Sequence, residues 1–338
     1  MINPWTSLLT PDLAEALPAQ PDSANPADTR AATVLIPLPA LAVLGLTGPE
    51  SVKFLQGQTT TDFREVEKGR VLPGAVCSLK GRVLFSFIAI PDGENILLVL
   101  PENQIEDALA HLKKYAVFSR TRLDHAGMAL AGISGAGAEE RVKSLVGDVP
   151  AQGRVIKAAD GKWVSRTGAE PRYLLGLPAE TLAAEWPALQ QNTTLASENL
   201  WWAADIRDGL ATVFAGSRDL FQPQELNYPA LEGVSYNKGC YTGQEVVARL
   251  YFRGKLKQRL YRLEAPDTEL PAIGSKIVAE EKSVGEVVIA ARGSAGKTEL
   301  LAVVKNLAVH AGTLSLEASG SRLGVLVLPY ELAADKEE

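Results

Sequence analysis

The pattern of apolar residues changes near residue 255, and this change limits the folds open to the chain. Before it, short apolar strands such as Arg82–Ile90 alternate with amphipathic helices such as Glu102–Lys114 and Ala138–Val146. After it, strand patterns dominate, and glycine-rich turns separate them. The sequence therefore predicts an α+β fold that is followed by a small C-terminal β barrel.

A chain of 338 residues is too long for one ordinary core, so more than one domain is expected. The first 32 residues are rich in Ala, Pro and Asp, and they read as a flexible tail. The pattern then predicts three domains: an α+β domain at 33–125, a second at 126–254 that is intertwined with it, and the barrel at 255–332.

Composition favours a soluble cytoplasmic protein. Hydrophobic residues make up 46% of the chain and charged residues 22%, with a net charge of −6. The N-terminus lacks the pattern of a signal peptide, and no apolar run is long enough for a membrane helix. Two cysteines, Cys77 and Cys240, cannot form a disulfide framework, and the three histidines are too scattered for a local zinc site. We therefore expect no metal site and no membrane partner.

One segment, KGCYTGQE (Lys238–Glu245), combines a cysteine with the residues that start helices. Thr242 followed by Glu245 is a capping box, which predicts a helix from Gly243 to Phe252. The positive end of a helix dipole favours a thiolate at Cys240, and Lys238 adds a positive charge. The alternative is that Cys240 is a small buried residue, as free cysteines usually are. Cys77 lies in an apolar strand and is expected in the core.

A run of basic residues follows the segment. From Arg249 to Arg262 the chain has six basic residues and no acidic one. Arg253, Lys255, Lys257 and Arg259 occupy every second position, which on a strand would place them on one face. Such a face fits an anionic partner such as a polyglutamylated cofactor, a phosphate-bearing substrate or tRNA. A solvated edge strand is the alternative.

The KGCYTGQE segment, with Val247-Ala248-Arg249 and Phe252-Arg253-Gly254 after it, resembles the signature of the YgfZ family of folate-binding proteins, which are relatives of the glycine-cleavage T-protein. Other stretches resemble family motifs along residues 33 to 330. These are Leu46-Thr47-Gly48, Phe54–Gln58, Lys80-Gly81-Arg82, Leu112–Ser119, Ile206–Gly209 and Phe221–Gln224.

The resemblance implies a three-domain ring of two intertwined α+β domains and a C-terminal β barrel that binds tetrahydrofolate. It also implies a role in the synthesis or repair of iron–sulfur enzymes, including radical enzymes that thiolate tRNA. The candidate reactive thiol is then Cys240, with Lys238 and Tyr241 beside it. The candidate folate contacts are Trp201, Gln244, Glu245 and Arg253.

Two departures from the T-protein bear on chemistry. Its catalytic aspartate would fall in Leu84–Phe87, where this chain has no acid, and Arg207 stands where its pterin-facing glutamate would be. Loss of the general base removes the simplest route to aminomethyl transfer. Two further interpretations stay open: a folate-dependent methyl or aminomethyl transferase or demethylase, and an RNA-binding module that uses the basic run.

Overall fold

The computed structural model describes residues 4–7, 32–168, 170–266, 269–293 and 296–332. The helices in these ranges are α1 (Ser51–Gln58), α2 (Phe63–Glu67), α3 (Ile105–Ala116), α4 (Ala138–Val146), α5 (Ala179–Gln190), α6 (Glu198–Asp208), α7 (Gln244–Arg253) and α8 (Asn306–Ala311). Short 3₁₀ turns lie at Pro4–Ser7, Glu102–Gln104, Ala215–Ser217 and Tyr228–Leu231.

The strands in these ranges are β1 (Val34–Pro37), β2 (Leu41–Thr47), β3 (Leu72–Cys77), β4 (Val83–Asp92), β5 (Asn95–Pro101), β6 (Arg122–His125), β7 (Met128–Ser134), β8 (Val155–Lys157), β9 (Trp163–Thr167), β10 (Arg172–Pro178), β11 (Thr194–Leu195), β12 (Gln258–Ala265), β13 (Lys276–Ala279), β14 (Lys282–Arg292), β15 (Thr298–Lys305), β16 (Ser315–Leu316) and β17 (Gly324–Leu326). The mixture of helices and mainly antiparallel sheets confirms the predicted α+β class.

The chain divides into two compact units, each built from three separate segments. Unit 1 comprises residues 1–52, 64–71 and 88–201, and unit 2 comprises residues 53–63, 72–87 and 202–338. The three-domain boundaries that the sequence suggests stay a prediction.

Unit 1 contains a six-stranded sheet in the order β11-β1-β7-β10-β9-β8, in which only the β1–β11 pair is parallel. Its core holds buried side chains of the sheet, such as Tyr173, together with Val142 of α4 and Leu182 of α5. Unit 1 also holds β5, β2 and β6 of a second sheet, whose order is β3-β4-β5-β2-β6. Strand β4 starts in unit 2 and continues into unit 1 at Ile88.

The N-terminal segment departs from the predicted loose tail at one point. Trp5 is buried in the core of unit 1, and its ring meets that of Trp186 edge to face at 4.9 Å. Such aromatic pairs stabilise a core beyond the area they bury. The rest of the predicted tail, apart from 4–7 and residue 32, lies outside the described residues.

Unit 2 contains a six-stranded antiparallel sheet in the order β16-β13-β14-β15-β12-β17. The register shifts at Ile277/Val278 and at Val287/Ile289, and irregularities of this kind increase the bend and twist of a sheet. Among the described strands, β16 and β17 are the two edges and do not pair. The predicted barrel is therefore a curled, open sheet.

A second core of unit 2 lies beneath the signature segment. It packs Val247 of α7 with Cys77 at the end of β3 and Val83 at the start of β4. Both cysteine-bearing stretches of the chain thus belong to unit 2, with Cys77 inside the core, as the sequence predicted.

Candidate functional site

The signature segment turns sharply into α7 at Gly243. This residue has φ +82°, in the left-handed region, and a Cβ here would lie 2.4 Å from the carbonyl oxygen of Ser78. Gly81, at φ +71°, lies close to α7, since a Cβ on this residue would be 2.9 Å from Cβ of Val246. Only glycine satisfies both demands, the positive φ and the close approach. The Lys80-Gly81 turn and the start of α7 therefore fit directly against each other.

The helix start differs from the predicted capping box. Helix α7 runs from Gln244 to Arg253, its N-cap is Gly243, and no side chain caps it. The prediction of Thr242 as N-cap is therefore wrong, because the left-handed turn at Gly243 moves the helix start by one residue. The helix ends at Arg253, one residue beyond the predicted end at Phe252, and Gly254 is its C-cap.

Lys238 is an interior residue. Its side chain is only 9% exposed, and Nζ donates hydrogen bonds to the carbonyl oxygens of Thr59, at 2.7 Å, and Thr61, at 2.5 Å. Between them, Thr60 Oγ1 donates to the carbonyl of Gly233 and accepts from the amide of Ala75. Buried charges need such partners. Lys238 therefore anchors the signature segment to the 59–61 turn.

Cys240, in contrast to Lys238, is exposed to solvent. Its thiol is exposed, so the alternative of a small buried residue is wrong. Gly239, next to it, has no atom within 4 Å of an added Cβ. By contrast, burial raises the pKa of the Cys77 thiol to about 12, with a smaller contribution from Asp219. Of the two cysteines, only Cys240 is therefore accessible to a reagent.

Tyr241 points inward beside Lys238. Its ring centre is 5.2 Å from the Lys238 ammonium, and the residue is 7% exposed. Burial raises the pKa of its phenol, and nearby Cys77 and Tyr236 add to the shift. A phenol that holds its proton this firmly cannot act as a base near neutral pH. Tyr241 therefore serves as a packed neighbour of Lys238.

One polar atom near the segment, Oη of Tyr241, lacks a hydrogen-bond partner in the described part of the chain, whereas the nearby Tyr236 hydroxyl lies within reach of the Gln224 side chain. Gln224 is held in place by its own amide, which donates to the carbonyl of Val247 at 2.6 Å. Buried polar groups are almost always satisfied in folded proteins. An unsatisfied hydroxyl such as that of Tyr241 is typical of a place that a bound molecule or water completes.

Comparison with known proteins identifies relatives of the chain. No protein-family model matches the chain. A protein from Pectobacterium carotovorum named tRNA-modifying protein YgfZ is 32% identical over 315 residues, which cover 90% of this chain and 94% of that protein. The protein of the same name from Colwellia psychrerythraea is 30% identical, with coverage of 90% and 95%. The chain belongs to the YgfZ family.

The fold is that of an aminomethyltransferase. The glycine cleavage system aminomethyltransferase T from Bartonella henselae superposes with a TM-score of 0.73, covering 89% of this chain and 87% of that one, at 18% identity. At this identity the likeness concerns the fold alone.

In this YgfZ family member, the predicted folate contacts do not all lie together. Gln244 and Glu245 begin α7 and Arg253 ends it, which separates them by about 13 Å along the helix axis. Trp201, in unit 1, is 4% exposed, with the Arg172 guanidinium 4.4 Å from its ring centre. Its ring is thus already packed within its own unit, and its role as a folate contact stays a prediction.

The basic run does not form the predicted strand face. Arg253 ends α7, Lys255 and Lys257 lie in irregular chain, and Arg259 alone is on a strand, β12. The prediction of one shared strand face is therefore wrong, because the helix extends through Arg253. Arg253, Lys255 and Lys257 are nevertheless exposed.

Two positions correspond to the departures from the T-protein that the sequence shows. In the stretch where the T-protein aspartate would fall, Ser86 is buried and its Oγ accepts a hydrogen bond from the amide of Val213 at 2.9 Å. Arg207 is half-buried, and its Nε and Nη2 have no acceptor among the described residues. In the sequence, Arg207 is visible only as a difference from the T-protein glutamate. No local pattern indicates that its donors lack acceptors in the described part of the chain.

Neither a metal cluster nor a membrane segment is found within the described ranges. No three His, Cys, Asp or Glu side chains there come together as ion ligands. No helix in those ranges has the length and apolar character needed to span a bilayer.

Proposed function

We propose that the chain is a tetrahydrofolate-binding accessory protein for the synthesis or repair of iron–sulfur enzymes in the cytoplasm, including enzymes that thiolate tRNA. One observation carries the proposal: the exposed Cys240 thiol lies on a segment that the buried Lys238 ammonium anchors. A rigid support that presents a thiol to the outside suits contact with a partner. Relatives of the chain are named tRNA-modifying proteins.

Residues of unit 2 fit a polar cofactor such as tetrahydrofolate. The donors of Arg207 and the hydroxyl of Tyr241 are hydrogen-bonding groups that the described part of the chain leaves unsatisfied. Gln244 and Glu245 add an amide and a carboxylate at the start of α7. These residues would bind and orient the cofactor, which carries one-carbon groups when bound.

Cys240 has three candidate roles: redox partner, alkyl acceptor or transient contact for a cluster. Iron–sulfur clusters usually take four protein ligands. The described residues offer no group of three that could hold a metal, so any cluster would be shared with the client enzyme. The proposal also includes a contact with an anionic partner. The residues for it are Arg253, Lys255 and Lys257, which are exposed, and Arg259, which is half-buried.

A second candidate is a folate-dependent transferase or demethylase of methyl or aminomethyl groups. The aminomethyltransferase fold favours it. Ser86 counts against it, because a buried hydroxyl that is engaged with the backbone cannot replace a carboxylate general base.

The test is the alkylation rate of Cys240 by iodoacetamide, followed by mass spectrometry, with and without tetrahydrofolate. Cys240 should react readily, whereas Cys77 should stay unmodified because it is buried. At a tetrahydrofolate concentration about ten times its Kd, the rate should fall roughly tenfold, because only the free fraction reacts. A Cys77→Ala variant should behave in the same way.

Calorimetry on the same sample separates the two parts of the proposal. If folate binds but does not protect Cys240, the chain binds the cofactor and Cys240 does not lie at the binding site. If tetrahydrofolate does not bind, the proposed function is wrong.

A further inference from the structure

Three aromatic side chains meet on the surface of unit 2 at the end of α7, and we call them the aromatic platform: Tyr236, Tyr251 and Phe252. The rings of Tyr236 and Tyr251 are stacked, with centroids 3.7 Å apart and planes at 14°. Phe252 stands edge-on to Tyr251, at 4.9 Å and 82°. Tyr251 is 43% exposed and Phe252 59% exposed. Large exposed rings in one place are typical of a contact surface.

Partly buried residues support the platform. Tyr236 is half-buried, and burial raises the pKa of its phenol. Its hydroxyl lies near Gln224, which is itself bonded to the backbone of α7. Tyr236 precedes Lys238 by two residues, so the anchored ammonium also fixes this part of the chain. The exposed rings are therefore preorganised, which lowers the entropy cost of binding.

Cationic residues lie next to the platform along the chain. Arg249, Arg253, Lys255 and Lys257 are exposed, and the stretch from Arg249 to Arg262 has no acidic residue in a chain of net charge −6. Within the part of the chain that the structure describes, the side chains of Arg253, Lys255 and Lys257 form no ion pair. These cations remain available for phosphates.

We propose that the aromatic platform and these cations bind an unpaired stretch of RNA. A splayed base stacks on the exposed ring of Phe252 or Tyr251, while Arg253, Lys255 and Lys257 contact the backbone phosphates. Rings cannot reach the bases of a closed duplex, so the surface selects single strands. RNA suits the surface better than a protein partner, because the residues next to Tyr251 and Phe252 in sequence carry charge of one sign. This inference names RNA as the anionic partner in the proposed function, and it rests on that proposed function.

The experiment measures fluorescence anisotropy of a labelled 12-nucleotide single-stranded RNA of mixed sequence at several salt concentrations. Phe252→Leu and Tyr251→Leu should each weaken binding roughly tenfold, because base stacking is removed. Phe118→Leu is the matched control, since Phe118 is 99% exposed in unit 1, and it should have no effect. An abasic strand of the same length should bind the wild type and Phe252→Leu equally.

The charge variant Lys255→Gln/Lys257→Gln should make the dependence of log affinity on log salt shallower, by about 0.7 for each phosphate that the variant no longer neutralises. Thermal unfolding of every variant checks that it is folded, and Phe252→Leu, which leaves the Tyr236–Tyr251 stack intact, guards against a structural effect at Tyr251.

Equal weakening of binding by Phe118→Leu, or equal affinity for a duplex of the same length, would overturn the stacking proposal. No binding of the RNA even at low salt would also overturn it and would leave the surface to a protein partner. Tetrahydrofolate binding, measured on the same variants, distinguishes the two failures, because the platform variants should bind folate normally even if they no longer bind RNA.

Discussion

A buried lysine tied to two backbone carbonyls is an unusual way to hold a surface loop, since lysine is almost never buried without partners. Lys238 looked in sequence like a surface charge beside Cys240. Its acceptors come from Thr59 and Thr61, which are 179 and 177 residues away along the chain. No local pattern could show this contact. The structure shows Lys238 as an anchor of the signature segment, and its effect on the Cys240 thiol stays a prediction.

Arg207 is a residue that lowers the stability of the folded protein. Two of its donors are buried without an acceptor among the described residues, which costs about 1–3 kcal/mol for each unsatisfied group. We predict that Arg207→Met raises the free energy of unfolding of the folate-free protein by about 1 kcal/mol. The same change should weaken tetrahydrofolate binding roughly tenfold, since hydrogen bonds from a charged group are removed.

The measurements are urea unfolding and titration calorimetry. Arg141 is the matched control, because its Nη2 donates to the carbonyls of Ala188, Leu189 and Gln191. Arg141→Met should therefore destabilise the protein and leave folate affinity unchanged. Destabilisation by Arg207→Met with unchanged affinity would show that Arg207 is a structural residue.

At the scale of elements, the turn into α7 depends on Gly243. An alanine there would need a left-handed conformation, which costs about 1–2 kcal/mol, and its Cβ would press on the Ser78 carbonyl. We predict that Gly243→Ala lowers the free energy of unfolding by roughly 2 kcal/mol or more. Gly239→Ala should change it by less than about 0.5 kcal/mol, since open space surrounds that residue. Urea unfolding of both variants measures the two changes. Equal destabilisation by Gly243→Ala and Gly239→Ala would show that the left-handed turn does not require glycine.

Local pattern was sufficient for elements whose signals lie within them. The helix Ala138–Val146 begins and ends where the sequence predicted. Helix α3 keeps Ile105, Leu109 and Leu112 buried on one side, and a 3₁₀ turn takes up the residues before Ile105. The pattern failed where two elements could use the same residues. Alternating cations after Phe252 fit a strand, but the helix continues through Arg253.

At the scale of the whole molecule, alkaline pH should weaken the fold. Burial raises the pKa of Cys77 from 9.0 to about 12, so the unfolded chain loses this proton first. The contribution of Cys77 is complete below pH 9 and declines between pH 9 and pH 12, by about 1.4 kcal/mol per pH unit. Buried Tyr228 and Tyr241, whose pKa values are also raised, add to the decline at higher pH.

Urea unfolding at pH 8, 9 and 10 measures this slope. Cys77→Ala should lower stability at every pH and make the slope shallower. Cys240→Ala is the control for the loss of a thiol that is exposed in the folded protein. An identical slope in all three proteins would contradict the assignment to Cys77.

The sequence could identify the family because its signature is a continuous string, whereas the working surface of unit 2 is assembled from distant stretches. Tyr236 and Tyr251 are stacked, yet fifteen residues separate them, and the turn at 59–61 comes from the first quarter of the chain. Contacts of this kind follow from packing and carry no local periodicity.

The order of segments along the chain has a consequence for how the protein is made. The chain passes between the two units five times, at residues 52/53, 63/64, 71/72, 87/88 and 201/202. Unit 1 is not complete until the ribosome has added Trp201, and by then two segments of unit 2 have already emerged and must wait for the rest. No single cut in the gene releases either unit whole. Each unit draws on three separate stretches of the gene, so neither can be expressed whole as one continuous segment.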